Sequence, residues 1–323
     1  MGMELIGAAG MTYELKQTYD RTLLSTAEVE LVYLNYGQKK DIPARGGKSI
    51  EFRRFEQLPY YTGSYALTEG TPPAYALQAT ISSVPATISQ YGAYTQISDV
   101  LDTQGFDPVI DEYSVRFGEH MGLVMDSVGR DVIVAGTTVQ YASTAATRTG
   151  ASGVGSGMYL NSAELTEARR TLRRNSAKPV DGNKYIAIIH PDNTKDLFDD
   201  ADISQAFKDA APRDDKHPLF TGMVGDYMGI RFIETTNCKI WTSLGLSGAD
   251  VYGVMLLGKE AYGITKLTAL QSKLIVHARG TGGHTDPLEQ YSTIGWKASL
   301  AVVRLNENWM VRVECNASYH TAA

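Results

Sequence analysis

The spacing of apolar positions changes period several times along the chain. From Tyr13 to Tyr36, Tyr19, Leu23, Leu24, Ala27, Leu31 and Leu34 recur near helical spacing, and Asn35, Gly37 and Pro43 close the run. From Lys48 the period falls to two: Ile50 and Phe52 alternate with Glu51 and Arg53, which predicts a strand. A second extended run, Ala76 to Ser98, contains Ile81, Pro85 and Ile88. Proline has no N–H to give to a ladder, so this strand lies at an edge or carries a bulge there. Between the runs, Leu58 to Ala74 holds Pro59, Tyr60, Tyr61, Gly63, Tyr65, Gly70, Pro72 and Pro73. The pattern predicts a long two-stranded arm with an aromatic tip. Such a hairpin is marginal in water by itself and needs another surface to lie on.

The longest predicted helix runs from Pro108 to about Ala135. Asp107 suits the N-cap, Pro108 the first turn, and Asp111 and Glu112 complement the dipole. Ile110, Tyr113, Phe117, Met121, Val124, Val128, Val132 and Ala135 form one apolar stripe, and Gly136 is placed to stop it. At 1.5 Å per residue this helix is about 40 Å long. Gly118, Gly122 and Gly129 lie near one face, each costing about 1 kcal/mol against alanine. Glu119, Asp126, Arg130 and Asp131 on the same helix exclude a membrane role for these glycines, so they predict close approach of a neighbouring backbone.

Gly136 to Met158 is rich in Ser, Thr, Gly and Ala and reads as an exposed loop. Asn161 and Glu164 form a capping pair for a helix to Arg174. Strands follow at Tyr185 to His190, Ile230 to Glu234, Val251 to Leu257 and Lys273 to His277, with a helical turn from Pro191 and a short helix at Asp202 to Asp209. The chain closes with a hairpin, Thr293 to Leu305 and Trp309 to Glu314, turning at Asn306-Glu307-Asn308. The fold class is α+β. The long helix argues against an all-β jelly roll, and there is no internal repeat.

Composition narrows the function classes. The 323 residues carry a formal net charge of -6, against the basic balance of a protein that wraps nucleic acid through its whole surface. A mildly acidic wall around packed nucleic acid fits. Two cysteines, Cys238 and Cys315, fit neither a metal spacing nor a disulfide framework. No apolar run reaches the roughly 20 residues of a membrane span, and the N-terminus lacks a signal-peptide pattern. Phosphate-loop, nucleophile-elbow, zincin and EF-hand motifs are absent.

The remaining chemical candidates have plainer readings. His277 to Asp286, with His284 between, offers metal-ligand types at a spacing that matches no defined site, and reads as a Gly-rich loop. Arg169, Arg170, Arg173, Arg174 and Lys178 form a basic cluster; Leu165, Ala168 and Leu172 give that helix its buried stripe, which makes the arginines its outer face. Asp99, Asp102 and Asp107 suit capping and turns. Tyr60, Tyr61 and Tyr65 are of the type found in interface hot spots, and fit equally a tip folded back on its own domain.

Several stretches carry a family resemblance by their order and spacing. Gly47-Lys48-Ser49-Ile50-Glu51-Phe52-Arg53-Arg54 opens the arm and Leu67-Thr68-Glu69-Gly70-Thr71-Pro72-Pro73 lies at its tip. Tyr91-Gly92-Ala93-Tyr94 leads to Ile97-Ser98-Asp99. His190-Pro191, Gly229-Ile230-Arg231-Phe232-Ile233-Glu234, Gly258-Lys259-Glu260-Ala261-Tyr262-Gly263, Asp286-Pro287-Leu288 and Gly295-Trp296-Lys297 follow. The sequence resembles, over nearly its whole length, the major capsid family of the N-four-type coliphage, within the Hong Kong 97-type capsid fold of tailed bacteriophages.

The resemblance implies an N-terminal arm with a helix (1–45), an extended hairpin loop (46–98), a spine helix of a peripheral domain (99–136), an axial domain (137–266) and return strands of the peripheral domain (267–323). It implies a structural protein with no catalytic residue, cofactor or metal. Hexamers and pentamers would build an icosahedral virion shell around double-stranded DNA, in the host bacterial cytoplasm. Portal and scaffolding proteins are the implied partners, with room for a decoration protein, and no membrane is involved. The expected inter-subunit contacts are Arg53, Arg54, Tyr60, Tyr61, Tyr65 and Glu69, and the expected hinges are Gly46, Gly47 and Gly92. Two other readings predict different samples. An encapsulin-like nanocompartment of the same fold would hold enzyme cargo, and a hydrolase using the His277–Asp286 loop would be a small metal-loaded oligomer.

Overall fold

The structure, a computed structural model, describes residues 31–43, 47–56, 58, 65–67, 69–71, 77–104, 109–209, 226–266, 272–279, 288 and 290–318. One sheet of seven strands runs in the order β5 (Val139–Tyr141), β14 (Met310–Cys315), β10 (Val251–Leu257), β6 (Tyr185–Ile189), β8 (Ile230–Glu234), β7 (Asp226–Tyr227), with β9 (Lys239–Trp241) also paired to β10. β6 is parallel to β8 and β5 to β14; the other pairs are antiparallel.

The strand period of two assigns the side chains of this sheet to two cores. Along β6, Tyr185, Ala187 and Ile189 enter one core while Ile186 and Ile188 enter the other. β10 divides the same way, with Tyr252, Val254 and Leu256 against Met255 and Leu257. Burial on both faces explains why these strands read as unbroken apolar runs. The first face is covered by α3 (Ser162–Arg174), α4 (Pro191–Asp199) and α5 (Ala201–Asp209), through Leu165, Ala168, Leu172, Leu197 and Ile203. The second face meets α2 (Val109–Val134) through Met121, Met125, Ile133 and Val134.

The second sheet is built on β13 (Tyr291–Arg304). β4 (Ser89–Ser98) pairs with Tyr291 to Leu300, β12 (Lys273–His277) with Thr293 to Lys297, and β11 (Tyr262–Thr265) with Ala301 to Arg304. β1 (Gln38–Lys39) adds in parallel to β11. The inward residues Ile294, Trp296, Ala298 and Leu300 are buried, and Trp296 Nε1 donates to Nδ1 of His120 on α2 at 3.1 Å. Trp296, Ala298 and Leu300 share one core with Met121, Met125, Ile186 and Met255, so α2 is packed against both sheets. The hairpin of β2 (Ser49–Phe55) and β3 (Ile81–Thr87) stands apart as its own two-stranded sheet.

Several expectations need correction. The predicted closing hairpin does not form, because β13 pairs with β4, β11 and β12 while β14 pairs with β5 and β10 in the other sheet. The single extended run expected from Ala76 to Ser98 divides: β3 pairs with β2 in the arm and β4 joins β13. Of the helix predicted over Tyr13 to Tyr36, residues 13–30 lie outside the described residues, and Leu31 to Tyr36 form turns and bends. The backbone N–H groups of Val32, Tyr33 and Leu34 are taken by the Asp126 carboxylate, not by helix carbonyls. The capping pair is half formed: Asn161 Oδ1 accepts from the Glu164 N–H at 2.9 Å, but the Glu164 carboxylate turns to Gln140 and to the N–H of Ser143. The supposed exposed loop after Gly136 contains β5 and buries Ala142 and Val154. A Cβ on Gly129 would lie 2.7 Å from Leu34 Cδ2, so a side chain, not a backbone, closes on the helix there. Asp107 and Pro108 lie outside the described residues. Pro85 sits opposite Glu51 in β3, which pairs with β2 alone among the described strands, where a missing N–H is tolerated.

Candidate functional site: the hairpin arm and the joints beneath it

The arm is seated through one face of β2. Alternation turns Ile50 and Phe52 inward, and Phe52 is buried with Ile42, Ala86, Ile88 and Ala301 in a third small core. A Cβ on Gly263 would lie 2.8 Å from the Phe52 ring, so the missing side chain on β11 makes the seat. Lys40 Nζ stands 5.8 Å from the ring centroid and donates to the Glu51 carbonyl at 3.0 Å.

The two adjacent arginines go to different places. Arg54 donates to the Leu305 carbonyl at 3.2 Å and to Glu56 at 3.1 Å. Ser82 Oγ also donates to Glu56, and these two partners hold its carboxyl below the ordinary value. Arg53 points away, 71% exposed, with Glu51 at 3.9 Å. Beyond the base, Leu58, Tyr65, Leu67, Leu77 and Ile81 are exposed, Leu67 at 75%. Each Å² of such apolar surface taken from water contributes about 25 cal/mol. Glu69, two residues after Leu67, is exposed as well. Tyr60, Tyr61 and Gly46 lie outside the described residues. Gly47 has φ +91, a conformation that glycine alone takes without strain, and its side-chain direction is open. Gly92 sits inside β4 opposite Lys297, where a Cβ would lie 2.7 Å from the Trp296 carbonyl oxygen. The two described glycines of the three expected hinges therefore differ in geometry, open space at Gly47 and a close strand contact at Gly92.

Two polar joints tie the elements beneath the arm. Asp126 on α2 is fully buried, and its Oδ1 accepts from the N–H of Val32 at 2.9 Å, Tyr33 at 2.7 Å and Leu34 at 3.4 Å. Its Oδ2 accepts from Asn237 Nδ2 at 3.0 Å. Burial raises this carboxyl above its ordinary value, while the hydrogen bonds from Asn237 and the three N–H groups pull the other way. Asn237 is fixed in turn: its Oδ1 accepts from Ser127 at 3.0 Å and Arg130 at 2.7 Å. Tyr262 donates to the Tyr33 carbonyl, and the Tyr33 hydroxyl faces Cys238 Sγ at 3.6 Å. Burial pushes the Cys238 thiol up to about 12, which makes it a poor nucleophile at neutral pH.

The second joint is an Arg–Glu–Arg cluster. Glu314 on β14 is fully buried; Arg148 grips it with Nε at 2.7 Å and Nη2 at 2.6 Å, and Arg312 Nε adds a bond at 2.7 Å. Arg312 also donates to the carbonyls of Val134, the last residue of α2, and Gly136, the latter at 3.1 Å. The Trp241 ring lies 3.7 Å from the Arg148 guanidinium. A Cβ on Gly253 would approach that ring to 2.9 Å, so glycine makes room for the stack. Sequence reasoning missed this cluster. Its signal was present: Arg312 and Glu314 stand two apart in Met-Val-Arg-Val-Glu-Cys, on one face of a strand.

The other candidates separate. His277 ends β12 and is exposed, whereas residues 280–287 lie outside the described residues. Leu165, Ala168 and Leu172 are buried as predicted, with Arg170, Arg173 and Arg174 exposed; Arg169 is half-buried. Asp99 opens α1 (Asp99–Gln104), its carboxylate accepting from the Val100 N–H at 2.8 Å. Among the described residues no three His, Cys, Asp or Glu side chains gather to hold a metal ion, and no helix is long and apolar enough to cross a membrane.

The architecture is that of solved phage capsids. The capsid asymmetric unit of cyanophage Pam1 matches with a TM-score of 0.67 and 16% identity, over 88% of this chain and 89% of that one. The capsid of Ralstonia phage GP4 matches at 0.68 and 12%, over 89% and 88%. That of Helicobacter pylori bacteriophage KHP30 matches at 0.60 and 12%, over 86% and 87%. These likenesses define a capsid subunit fold of the Hong Kong 97 type. Residues 81–312, more than two thirds of the sequence, match the phage capsid protein family, and the chain belongs to that family. Comparison with curated proteins by sequence returns no match.

Proposed function

We propose that this chain is the major shell subunit of a tailed phage, assembling as hexamers and pentamers into an icosahedral shell around double-stranded DNA. The observation that carries the reading is the arm: large apolar side chains stand in solvent on a two-stranded hairpin that has little core of its own. Exposed patches of this kind mark interaction sites, and such a hairpin requires a second surface. That surface belongs to a neighbouring subunit. Arm contacts of this type are heterologous and close into rings, and many modest contacts made together hold a shell.

On this reading 46–98 holds the extended loop, whose arm is the β2–β3 hairpin while β4 joins the β13 sheet; 99–136 is the spine helix, 137–266 the axial domain toward the capsomer centre, and 267–323 the return strands of the peripheral domain; 1–45 is the N-terminal arm. Arg53, Tyr65 and Glu69 are the described contact residues, while Arg54 serves mainly to anchor the arm to its own subunit. Gly47, with Gly46, is the hinge about which the arm swings as the shell matures. Gly92 serves close strand packing. Portal, scaffolding and decoration proteins are further partners, and assembly takes place in the host bacterial cytoplasm. The narrower likeness to the N-four-type coliphage rests on the sequence stretches quoted above.

Electron microscopy with light scattering on the purified protein tests this. Closed shells or five- and six-fold rings are expected. A monodisperse monomer or dimer at all concentrations, even when expressed with the proteins of its own head, counts against it. Enzyme cargo in place of DNA inside the shells would favour the nanocompartment reading.

A further inference from the structure

Helix α3 separates its charges from its core. Leu165, Ala168 and Leu172 are buried against the seven-stranded sheet, while Arg170, Arg173 and Arg174 stand in solvent. Residues three and four apart are neighbours on a helix surface, so these arginines and Arg169 form one patch. Beyond the helix end the Lys178 carbonyl accepts from the Lys259 N–H at 2.8 Å, which brings a second exposed lysine to the same place. Residues 162–178 thus hold five cations and two carboxylates, in a chain whose formal net charge is -6.

Both carboxylates are already engaged. Glu164 accepts from Gln140 and from the N–H of Ser143, and Glu167 pairs with Arg170. Arg169, Arg173, Arg174, Lys178 and Lys259 form no ion pair among the described residues. The Arg169 guanidinium lies over Gly229, its Nη2 3.3 Å from where a Cβ would stand, and its buried Nε has no hydrogen-bond partner. The helix dipole favours cations in the last turn, which accounts for Arg173 and Arg174. It does not account for Arg169 in mid-helix, or for Lys178 and Lys259 beyond the end.

The patch also lacks the apolar centre of a protein interface. Among the described residues the large exposed hydrophobic side chains lie on the arm, α1, α2 and β4 and at Met228, Leu244 and Leu288, with none between Ser162 and Lys184. Met228 is nearest, beside Thr166, two turns from the cationic end. Guanidinium forks and ammonium groups without apolar neighbours suit phosphate oxygens.

We infer that this face of α3 meets the phosphate backbone of packaged duplex DNA, with Arg173, Arg174, Lys178 and Lys259 making the contacts. This rests on the shell reading above. It adds the place where a wall that is acidic as a whole touches its contents, and it turns this face of α3 to the shell interior. Phosphate contacts carry no sequence information, so the duplex is held without register.

Two measurements test it. Filled wild-type particles are irradiated with ultraviolet light and digested with nuclease, and mass spectrometry is expected to find nucleotide adducts on residues 162–178 or on Lys259. Adducts confined to other segments, or no adducts, overturn the inference and leave the shell reading standing. A sample that forms no particles, or particles that never hold DNA, removes the shell reading first and this inference with it. The second measurement is fluorescence anisotropy of the unassembled chain with a short labelled duplex of random sequence, over a salt series. Four contacts give an expected slope of about -3.6 in log K against log salt. Replacing Arg173→Gln together with Arg174→Gln is expected to weaken binding about tenfold and to flatten the slope by about 2. Lys195→Gln, on α4, is expected to change neither. Unchanged affinity and slope in the double variant would overturn the inference. Tighter binding of poly-glutamate than of the duplex would also overturn it, and would assign the patch to an acidic protein segment.

Discussion

The backbone N–H of Tyr33 donates to the carboxylate of Asp126 at 2.7 Å, across 93 residues of chain. That bond, with those from Val32 and Leu34, fastens the segment entering from the N-terminus to the middle of the long helix. Replacing Asp126 by Asn keeps one acceptor and turns an NH₂ group toward Asn237 Nδ2. Asn237 has no free flip, because its Oδ1 already accepts from Ser127 and Arg130. Asp126→Asn is expected to destabilise the subunit by about 1–3 kcal/mol, the usual cost of an unsatisfied buried donor. Urea denaturation of the unassembled chain measures it.

The same residue makes a pH prediction. Burial raises the folded-state value of the Asp126 carboxyl, so the native state binds a proton more readily than the unfolded chain. The charged form therefore costs stability above the folded value, and that cost disappears as pH falls through it toward the ordinary carboxylate range. Wild type should gain stability relative to Asp126→Asn on acidification over that interval. A wild-type advantage that shrinks on acidification would contradict the sign.

The buried cluster predicts a larger effect. Arg148→Met removes two charge-assisted bonds from Glu314, which has no solvent exposure, and leaves Arg312 as its remaining cationic partner. A cost of about 3 kcal/mol is expected, typical of breaking a buried pair. Adding Glu314→Gln should deepen the loss rather than recover it, because the buried Arg312 guanidinium then loses its own carboxylate partner. Denaturation midpoints of the single and double variants decide the point.

Gly253→Ala tests the stack. Its Cβ would press on the Trp241 ring at 2.9 Å and lift it from the Arg148 guanidinium. A loss of about 1–3 kcal/mol is expected from overpacking, with a change in tryptophan fluorescence that is absent when Trp241 is first replaced by Phe.

Phe52→Ala should free the arm while sparing the two main cores. Phe52 belongs only to the small core with Ile42, Ala86, Ile88 and Ala301. Removing its ring costs about 3 kcal/mol, confined to that joint. Limited proteolysis should cut the arm faster, and far-ultraviolet circular dichroism should scarcely change. Equal protease resistance in variant and wild type would show that the arm is held elsewhere.

Much of this architecture was readable from local pattern. Val109–Val134 carries one apolar stripe over seven turns, and β6 and β10 are apolar at nearly every position, so their type and near-boundaries follow from periodicity. The first strand of the hairpin followed from the change of period at Lys48, but the second run did not keep to the arm: past Thr87 the chain joins β13. Short strands such as β1, β5 and β9 did not, because two or three residues carry no period; each exists only through its partner strand. Leu31 to Tyr36 misled for a related reason: its apolar spacing is helical, but Asp126 claims the N–H groups a helix would use. The polar joints were invisible because Asp126 sits within an ordinary amphipathic helix, and Arg148 within a Ser/Gly-rich stretch that reads as loop.

The sequence by itself therefore determined the long helix, the longer strands and the presence of an arm, since those depend on neighbours within a few residues. It determined the resemblance to a capsid family through the order of short stretches. Only the tertiary structure decided which face of each strand enters which core, that Arg54 anchors while Arg53 points to solvent, and that Arg148 from a distant segment joins Arg312 on Glu314. Those outcomes depend on groups tens to hundreds of residues apart, whose desolvation and hydrogen bonding are defined only once the chain has closed on itself.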